Sequence, residues 1–253
     1  MSSIITRRAL VTGAASGAGL LLSGCDKLAQ NETFRKILFS EDEAHRVLQR
    51  AISSRHSLAK EFTAAEMSPV FRANGTLNPG TPAYSAMAAE KFANWKLQVD
   101  GLVNRPLALS LAQLQQMPAR TQITRHDCVE GWSAIGKWHG PMLGNILKAA
   151  DVKTSARYII FHCADLFHGN AYYTSIDMFD AFHPQTILAY TMNDAPITVP
   201  HGAPIRLRAE RHLGYKQAKY VMRLQAVASL DEVGLGKGGY WEDHVDYDTY
   251  AGI

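Results

Sequence analysis

Residues at helical spacing open the readable part of the chain, and short alternating runs separated by Gly, Pro and Asn follow. Ala44, Val47, Leu48, Ala51, Ile52 and Leu58 recur with charges between them, which predicts a helical arm over Glu41 to Glu66. Met67 to Pro82 breaks the pattern, since Pro69, Asn74-Gly75, Pro79-Gly80 and Pro82 favour irregular backbone. Trp95 to Val99 alternates as a half-buried strand and stops at the turn signal Asp100-Gly101. Ser110 caps a short helix that runs to Met117 and is halted by Pro118. Further strands are predicted over Thr121–Cys128, Arg157–His162, Ala171–Ser175, Thr186–Met192, Pro204–Arg208 and Val221–Ala228. Helices are predicted over Pro141–Ala150, starting at the proline, and Asp177–Phe182. Short strands mixed irregularly with short helices predict an α+β domain, not a regular βαβ repeat. Gly234 to Ile253, rich in Gly, Tyr and Asp, is expected to wrap the surface.

The first residues follow another logic. Thr6-Arg7-Arg8 precedes a weakly apolar stretch, Ala9 to Leu22, and together they form a twin-arginine export signal. That address predicts recognition by the twin-arginine export machinery and a periplasmic location, with the protein exported folded and often with a cofactor. Leu22-Ser23-Gly24-Cys25 resembles the lipobox of bacterial lipoproteins, in which the thiol is acylated and the chain cleaved just before it. Asp26 resembles the signal that keeps such proteins at the inner membrane. The alternative is cleavage elsewhere, with Cys25 incidental. The division expected is 1–25 signal, 26–66 helical arm and 67–253 main domain.

Composition narrows the classes. At 253 residues, 47% hydrophobic and 19% charged, the chain can bury a core without staples. A net charge of +3 and the lack of a basic stripe with interleaved aromatics argue against nucleic acid. After residue 25 no apolar run reaches membrane-spanning length. There is no phosphate-cradling G-x-x-x-x-G-K-[ST] loop, H-E-x-x-H helix, C-x-x-C pair or G-x-S-x-G elbow. With Cys25 acylated, Cys128 and Cys163 remain, and an oxidising compartment leaves a disulfide between them open.

Cys128 stands in Arg125-His-Asp-Cys-Val-Glu-Gly-Trp-Ser133. Arg125 and His126 favour the thiolate, which attacks electrophiles or binds soft metals; the alternative is a small buried hydrophobe. Strand alternation puts His126 on the thiol's face, with Glu130 if the strand continues.

Cys128-Val-Glu-Gly-Trp-Ser133 resembles the molybdenum-binding loop of the sulfite oxidase family. Trp138-His-Gly140-Pro-Met-Leu143 resembles that family's W-x-G-x-x-L, which starts the next helix. His201-Gly-Ala-Pro-Ile-Arg206-Leu and Gly214-Tyr-Lys-Gln-Ala-Lys219 resemble two later segments, in the family's order. The resemblance implies a sulfite-oxidase-type molybdopterin-binding domain with mixed β-sheets. It also implies a molybdenum–molybdopterin cofactor, with Cys128 binding the metal and one pyranopterin dithiolene supplying further sulfurs. Arg206 and Lys219 are then expected to hold the cofactor's phosphate and polar edges, with backbone around Gln217 and Ala218. Gly202 and Gly214 would admit the cofactor to the backbone. Phe71, Arg72 and Asn74 lie in a segment resembling an upstream pterin contact, and Glu130 and His126 are expected around the metal ligand.

In the exported bacterial branch, the periplasmic methionine-sulfoxide reductase catalytic subunits, Asn stands where this chain has His201 and Thr where it has Cys163. Both are therefore candidate cofactor contacts. The resemblance implies two-electron oxygen-atom transfer, foremost reduction of a small or protein-bound sulfoxide such as methionine sulfoxide. Sulfite oxidation is the alternative, and a metal-free exported binding lipoprotein is the non-enzyme alternative. No C-x-x-C-H or iron–sulfur cysteine set occurs, so electrons are expected from a membrane cytochrome b or soluble cytochrome c. Without room for the family's C-terminal dimerisation domain, a monomer is expected.

Overall fold

The computed structural model describes residues 57–245 and 247–253, together with residues 31, 33, 34, 47, 48 and 51. Two compact units divide the chain, Met1–Ser53 and Ser54–Ile253. The export signal and lipobox lie outside the described residues, as does most of the helical arm, of which Val47, Leu48 and Ala51 are helical. All that follows concerns the second unit.

Its elements in chain order are α1 (Pro82–Ala89), β1 (Lys96–Gly101), β2 (Leu107–Ser110), α2 (Leu111–Gln116), β3 (Ala119–Asp127) and β4 (Ser133–Pro141). Then come α3 (Leu143–Ala149), β5 (Tyr158–Phe167), β6 (Asn170–Asp177), α4 (Met178–Ala181), β7 (Ile187–Ala189) and β8 (Thr191–Met192). β9 (Ala195–Pro196), β10 (Arg206–Arg208), β11 (Val221–Val227) and α5 (Tyr240–Val245) complete the unit. A five-stranded sheet runs β2-β1-β11-β5-β6, parallel only between β1 and β11. A four-stranded antiparallel sheet runs β3-β4-β8-β9, and β10 pairs antiparallel with β7. The fold is α+β. Among the described residues no helix is long and apolar enough to cross a membrane.

Local chemistry explains the elements. Leu97 and Val99 face inward on β1 in the expected alternation. Ser110 accepts the Gln113 N–H while Gln113 reaches back to the Ser110 N–H, a reciprocal cap that starts α2. Asp177 caps α4 through the Asp180 N–H. Leu143, Ile146 and Leu147 of α3 enter a core shared with Ile159 and Phe161 of β5 and Leu224 of β11.

Four expectations need correction. The arm is not helical to Glu66: Glu61 bridges to Thr124, the Phe62 N–H donates to the Ile123 carbonyl, and only a 3-10 turn spans Ala64–Glu66. The segment 59–62 thus extends the β3 edge, because its carbonyls and amides find partners there and at Gln185. Pro141 closes β4, and α3 starts two residues later behind Met142. No strand is expected from the sequence over β4, where Trp138-His-Gly140 resembles a helix entrance. Gly140 is needed there because a Cβ would sit 2.0 Å from the Leu188 carbonyl oxygen, where β4 crosses β7.

The last correction concerns residues 234–253. This segment does not merely wrap the surface: Glu242 is 1% exposed and pairs with Lys216, itself 0% exposed. Asp243 accepts from the Tyr173 hydroxyl and from the Leu235 and Lys237 N–H groups. Lys216→Met would strand the buried Glu242 carboxylate. It is expected to lower stability by about 3–5 kcal/mol in denaturant unfolding, and Lys216→Met with Glu242→Leu to recover most of it.

Candidate functional site

β3 and β4 meet in a tight turn, where the Cys128 N–H donates to the Trp132 carbonyl and the Gly131 N–H to the Cys128 carbonyl. Gly131 takes φ +81°, which suits glycine. The strand therefore ends at Asp127, and Glu130 sits exposed on the turn instead of continuing the thiol's strand face. Its carboxylate accepts the Trp132 indole N–H at 3.4 Å.

The turn overhangs a cavity of about 220 Å³. Phe71, Arg72, Asn74, His126, Cys128, Glu130, His201, Arg206, Gln217, Ala218 and Lys219 all line it. Cys163 does not. It packs against the core on β5, and burial and the Asp165 carboxylate push its thiol well up. Cys128 and Cys163 are both free thiols, so the disulfide left open by the sequence is not formed.

At the sulfur, the Asn74 side-chain amide donates to Cys128 Sγ at 3.4 Å. Phe71 anchors this segment, its ring against His126, Trp132 and Trp138 at 5.7, 6.4 and 5.2 Å between centroids. Arg72 is exposed and lies over the Trp132 ring at 5.7 Å.

Behind the sulfur stands a buried polar layer. β3 turns Gln122, Thr124 and His126 inward. Arg208 and Glu210 form a fully buried ion pair, with Glu210 also accepting from Gln122 at 2.8 Å. Arg208 Nη1 lies 3.1 Å from His126 Nδ1. A guanidinium only donates, so Nδ1 is the acceptor and the imidazole proton sits on Nε2. Burial, then Arg208 and Arg206, holds His126 well below the usual imidazole range, so it stays neutral. Both guanidiniums lie over Trp138, at 4.3 Å for Arg208 and 5.1 Å for Arg206.

Two of the expected cofactor contacts on the cavity lining are also engaged within the protein. Lys219 Nζ donates to the carbonyls of Asn74 (2.7 Å), Thr76 and Pro200 (2.9 Å), which accounts for all three ammonium donors. It braces the Asn74–Thr76 segment, and burial and Arg206 bring it down to about 7. His201 accepts from Thr198 Oγ1 (2.9 Å) and donates from Nε2 to the Phe71 carbonyl (3.1 Å), so both ring nitrogens are engaged. Gly214, on the cavity lining, clears His126: a Cβ there would lie 2.6 Å from Nε2. His126 is pinned by Arg208 and cannot yield. Gly214→Ala is accordingly expected to cost about 1–3 kcal/mol in thermal or denaturant unfolding.

Other buried groups on the cavity lining lack partners. Arg206 donates to the His201 and Gln217 carbonyls, but its Nε has no partner, nor have Gln217 Oε1 and Asp165 Oδ1. All three residues are at most 5% exposed and line the cavity. Burial and Arg208 disfavour charge on Arg206, and among the described residues no carboxylate pairs with it. Buried polar groups without partners are costly, so this set asks for a ligand carrying an anion or acceptor for Arg206 and donors for Gln217 and Asp165. A pyranopterin phosphate offers both. Among the described residues no group of three or more His, Cys, Asp and Glu could hold a metal. A metal at Cys128 therefore needs other ligands from its cofactor, as a dithiolene provides. The residues fit the group.

Sequence reasoning missed Asp165 and the aromatic wall of Phe167, Tyr172, Tyr215, Trp241 and Tyr247. Asp165 lies within an irregular stretch between His162 and Leu166 that upsets strand counting. For Trp241 and Tyr247 a signal was available, the density of aromatic residues after residue 234.

The model of the oxidoreductase molybdopterin-binding domain matches residues 84–232. A putative protein-methionine-sulfoxide reductase subunit of Azospira oryzae is 34% identical over 97% of this chain and 87% of that protein. A protein-methionine-sulfoxide reductase catalytic subunit of Campylobacter jejuni is 27% identical over 63% of this chain, which spans 57% of that protein. The sulfane dehydrogenase SoxCD of Paracoccus pantotrophus superposes with a TM-score of 0.50 over 54% of this chain and 39% of its own. At 22% identity that likeness concerns the fold.

Proposed function

Because the chain belongs to the family of oxidoreductases built on a molybdopterin-binding domain, we propose that it reduces an organic sulfoxide, methionine sulfoxide foremost. The observation that carries this reading is one cavity joining Cys128 Sγ, with its Asn74 donor, to the buried unpartnered groups of Arg206, Gln217 and Asp165. The sulfoxide reductases among the relatives give it the substrate class. When bound, the molybdenum cofactor supplies two-electron oxygen-atom chemistry. Sulfoxide, two electrons and two protons yield thioether and water.

The chain's own residues set the conditions. Cys128 offers the metal a sulfur, and Asn74 and the turn hydrogen bonds fix that sulfur's direction. Arg206 meets the anionic part of the cofactor, while Asp165 and Gln217 accept from its N–H edges. Lys219 and His201 hold the Phe71–Thr76 wall in place. Neutral His126 keeps its single N–H on Nε2 because Arg208 occupies Nδ1.

The twin arginines at Arg7-Arg8 and the lipobox ending in Cys25 support export to the periplasm and a lipid anchor at the inner membrane. Electrons then come from a separate carrier, a membrane cytochrome b or a soluble cytochrome c. The test offers purified, molybdenum-loaded protein methionine sulfoxide with a reduced viologen, and in parallel sulfite with an artificial acceptor. Turnover in the first assay and none in the second is expected; the opposite pattern would replace sulfoxide reduction by sulfite oxidation.

A further inference from the structure

The cavity is lined differently at its two depths. The unpartnered groups of Arg206, Gln217 and Asp165 are buried, whereas Phe167, Tyr215, Trp241 and Tyr247 are half-exposed and form an aromatic side. A cofactor held by the buried groups leaves the half-exposed side to whatever arrives from solvent. Phe167 and Tyr215 lie within the family match, which ends at residue 232, and Trp241 and Tyr247 are added by the C-terminal segment beyond it.

The rings are fixed. Phe167 and Trp241 meet at 4.8 Å and 65°, Trp241 and Tyr247 at 5.9 Å and 26°, and Tyr215 and Tyr247 at 4.9 Å and 63°. Glu242, next to Trp241, is tied to buried Lys216, and the Tyr215 hydroxyl donates to the Asp248 carbonyl at 2.8 Å. The ammonium groups nearest in sequence to Tyr215 are engaged, Lys216 by Glu242 and Lys219 by three carbonyls. The aromatic side thus offers faces and edges of rings, while the exposed guanidinium on the cavity lining, Arg72, lies over Trp132 and not over Trp241 or Tyr247. Sulfur and its alkyl substituents pack well on aromatic rings, while a small inorganic oxyanion has no apolar body to place there.

We propose that Trp241 and Tyr247, backed by Tyr215 and Phe167, form the subsite for the S-alkyl group of an organic sulfoxide and select alkyl sulfoxides over inorganic sulfur oxyanions. This rests on the sulfoxide-reductase reading and names the residues that would enforce it. Trp241 and Tyr247 are specificity-determining residues here; they hold no proton and no metal.

The experiment uses the molybdenum-loaded full chain. In Trp241→Ala and Tyr247→Ala, KM for methionine sulfoxide is expected to rise about three- to tenfold. Over the same variants kcat stays within about twofold, and molybdenum per chain is unchanged. Trp241→Phe, which keeps an aromatic face, restores most of the KM. Inhibition by the thioether product methionine weakens by the same factor, and inhibition by sulfite does not. Tyr247→Ala leaves Trp241 in place, so it carries the test if Trp241→Ala fails to fold by circular dichroism. An unchanged KM in correctly folded variants that still reduce sulfoxide would overturn the subsite and leave the sulfoxide reading standing. Loss of molybdenum at constant KM would assign the rings to the cofactor and overturn it too. Wild-type protein that carries molybdenum but reduces no sulfoxide would overturn both.

Discussion

Cys128→Ser is expected to lose sulfoxide reduction by more than about 100-fold, beyond the effect of removing an outer partner of a metal ligand. Molybdenum per chain should fall with it, as measured by elemental analysis of protein from a molybdenum-replete host. A serine oxygen is a hard donor in place of a soft thiolate, and among the described residues no group of three or more His, Cys, Asp and Glu could take the metal over. Cys163→Ser serves as the internal control. That thiol is held up by burial and Asp165, packs against the core and lies off the cavity, so metal and activity should survive. Equal loss in both variants would remove the ligand assignment.

The second large effect is expected from Arg206→Met. The side chain lies over Trp138 in a residue 5% exposed, braces the His201 and Gln217 carbonyls and keeps a buried Nε without a partner. Losing a charge-assisted hydrogen bond in such a place is worth about 1.5–3 kcal/mol, or roughly 10- to 150-fold in cofactor affinity. Pterin content, read by fluorescence of its oxidised derivative, should drop while circular dichroism stays native. Arg206→Lys should rescue little, since an ammonium cannot brace two carbonyls and present a third donor in a plane. A variant with full pterin content would show that the unpartnered Nε is not a ligand for the cofactor.

How much of this was visible beforehand divides along physical lines. Short-range patterns carried well: the alternation of Leu97 and Val99, the Ser110–Gln113 cap and the Asp177 cap each depend on neighbours in sequence. The cavity residues were legible because four motifs, read together, named Cys128, His201, Arg206 and Lys219, and the fold brings them to one place. Their individual roles were less legible. Whether Lys219 faces a ligand or three backbone carbonyls depends on where Asn74, Thr76 and Pro200 lie, and no local rule contains that.

β4 was missed although Ala134, Gly136, Trp138 and Gly140 alternate inward. Two of those four are glycines, which hide the apolar period, and they are small because Phe71 and the β7 backbone lie against them. Asp165 was hidden for a different reason. The β5 stretch from His162 to Leu166 faces only Tyr173 to Ala171 on β6, so counting by twos cannot decide which side chain reaches the cavity. The tail's composition suggested a surface wrap, and only the tertiary structure pairs Glu242 with a buried lysine and turns Trp241 to the cavity.

The account stands or falls on whether Cys128 binds molybdenum inside this cavity. X-ray absorption at the molybdenum edge of the loaded protein reads that bond directly. Wild-type protein should show sulfur neighbours from both the cofactor and the chain. Any metal that remains in Cys128→Ser should show one sulfur fewer, and that of Cys163→Ser the same number as wild type. An unchanged sulfur count in Cys128→Ser, or wild-type protein that folds without molybdenum in a replete host, would contradict it.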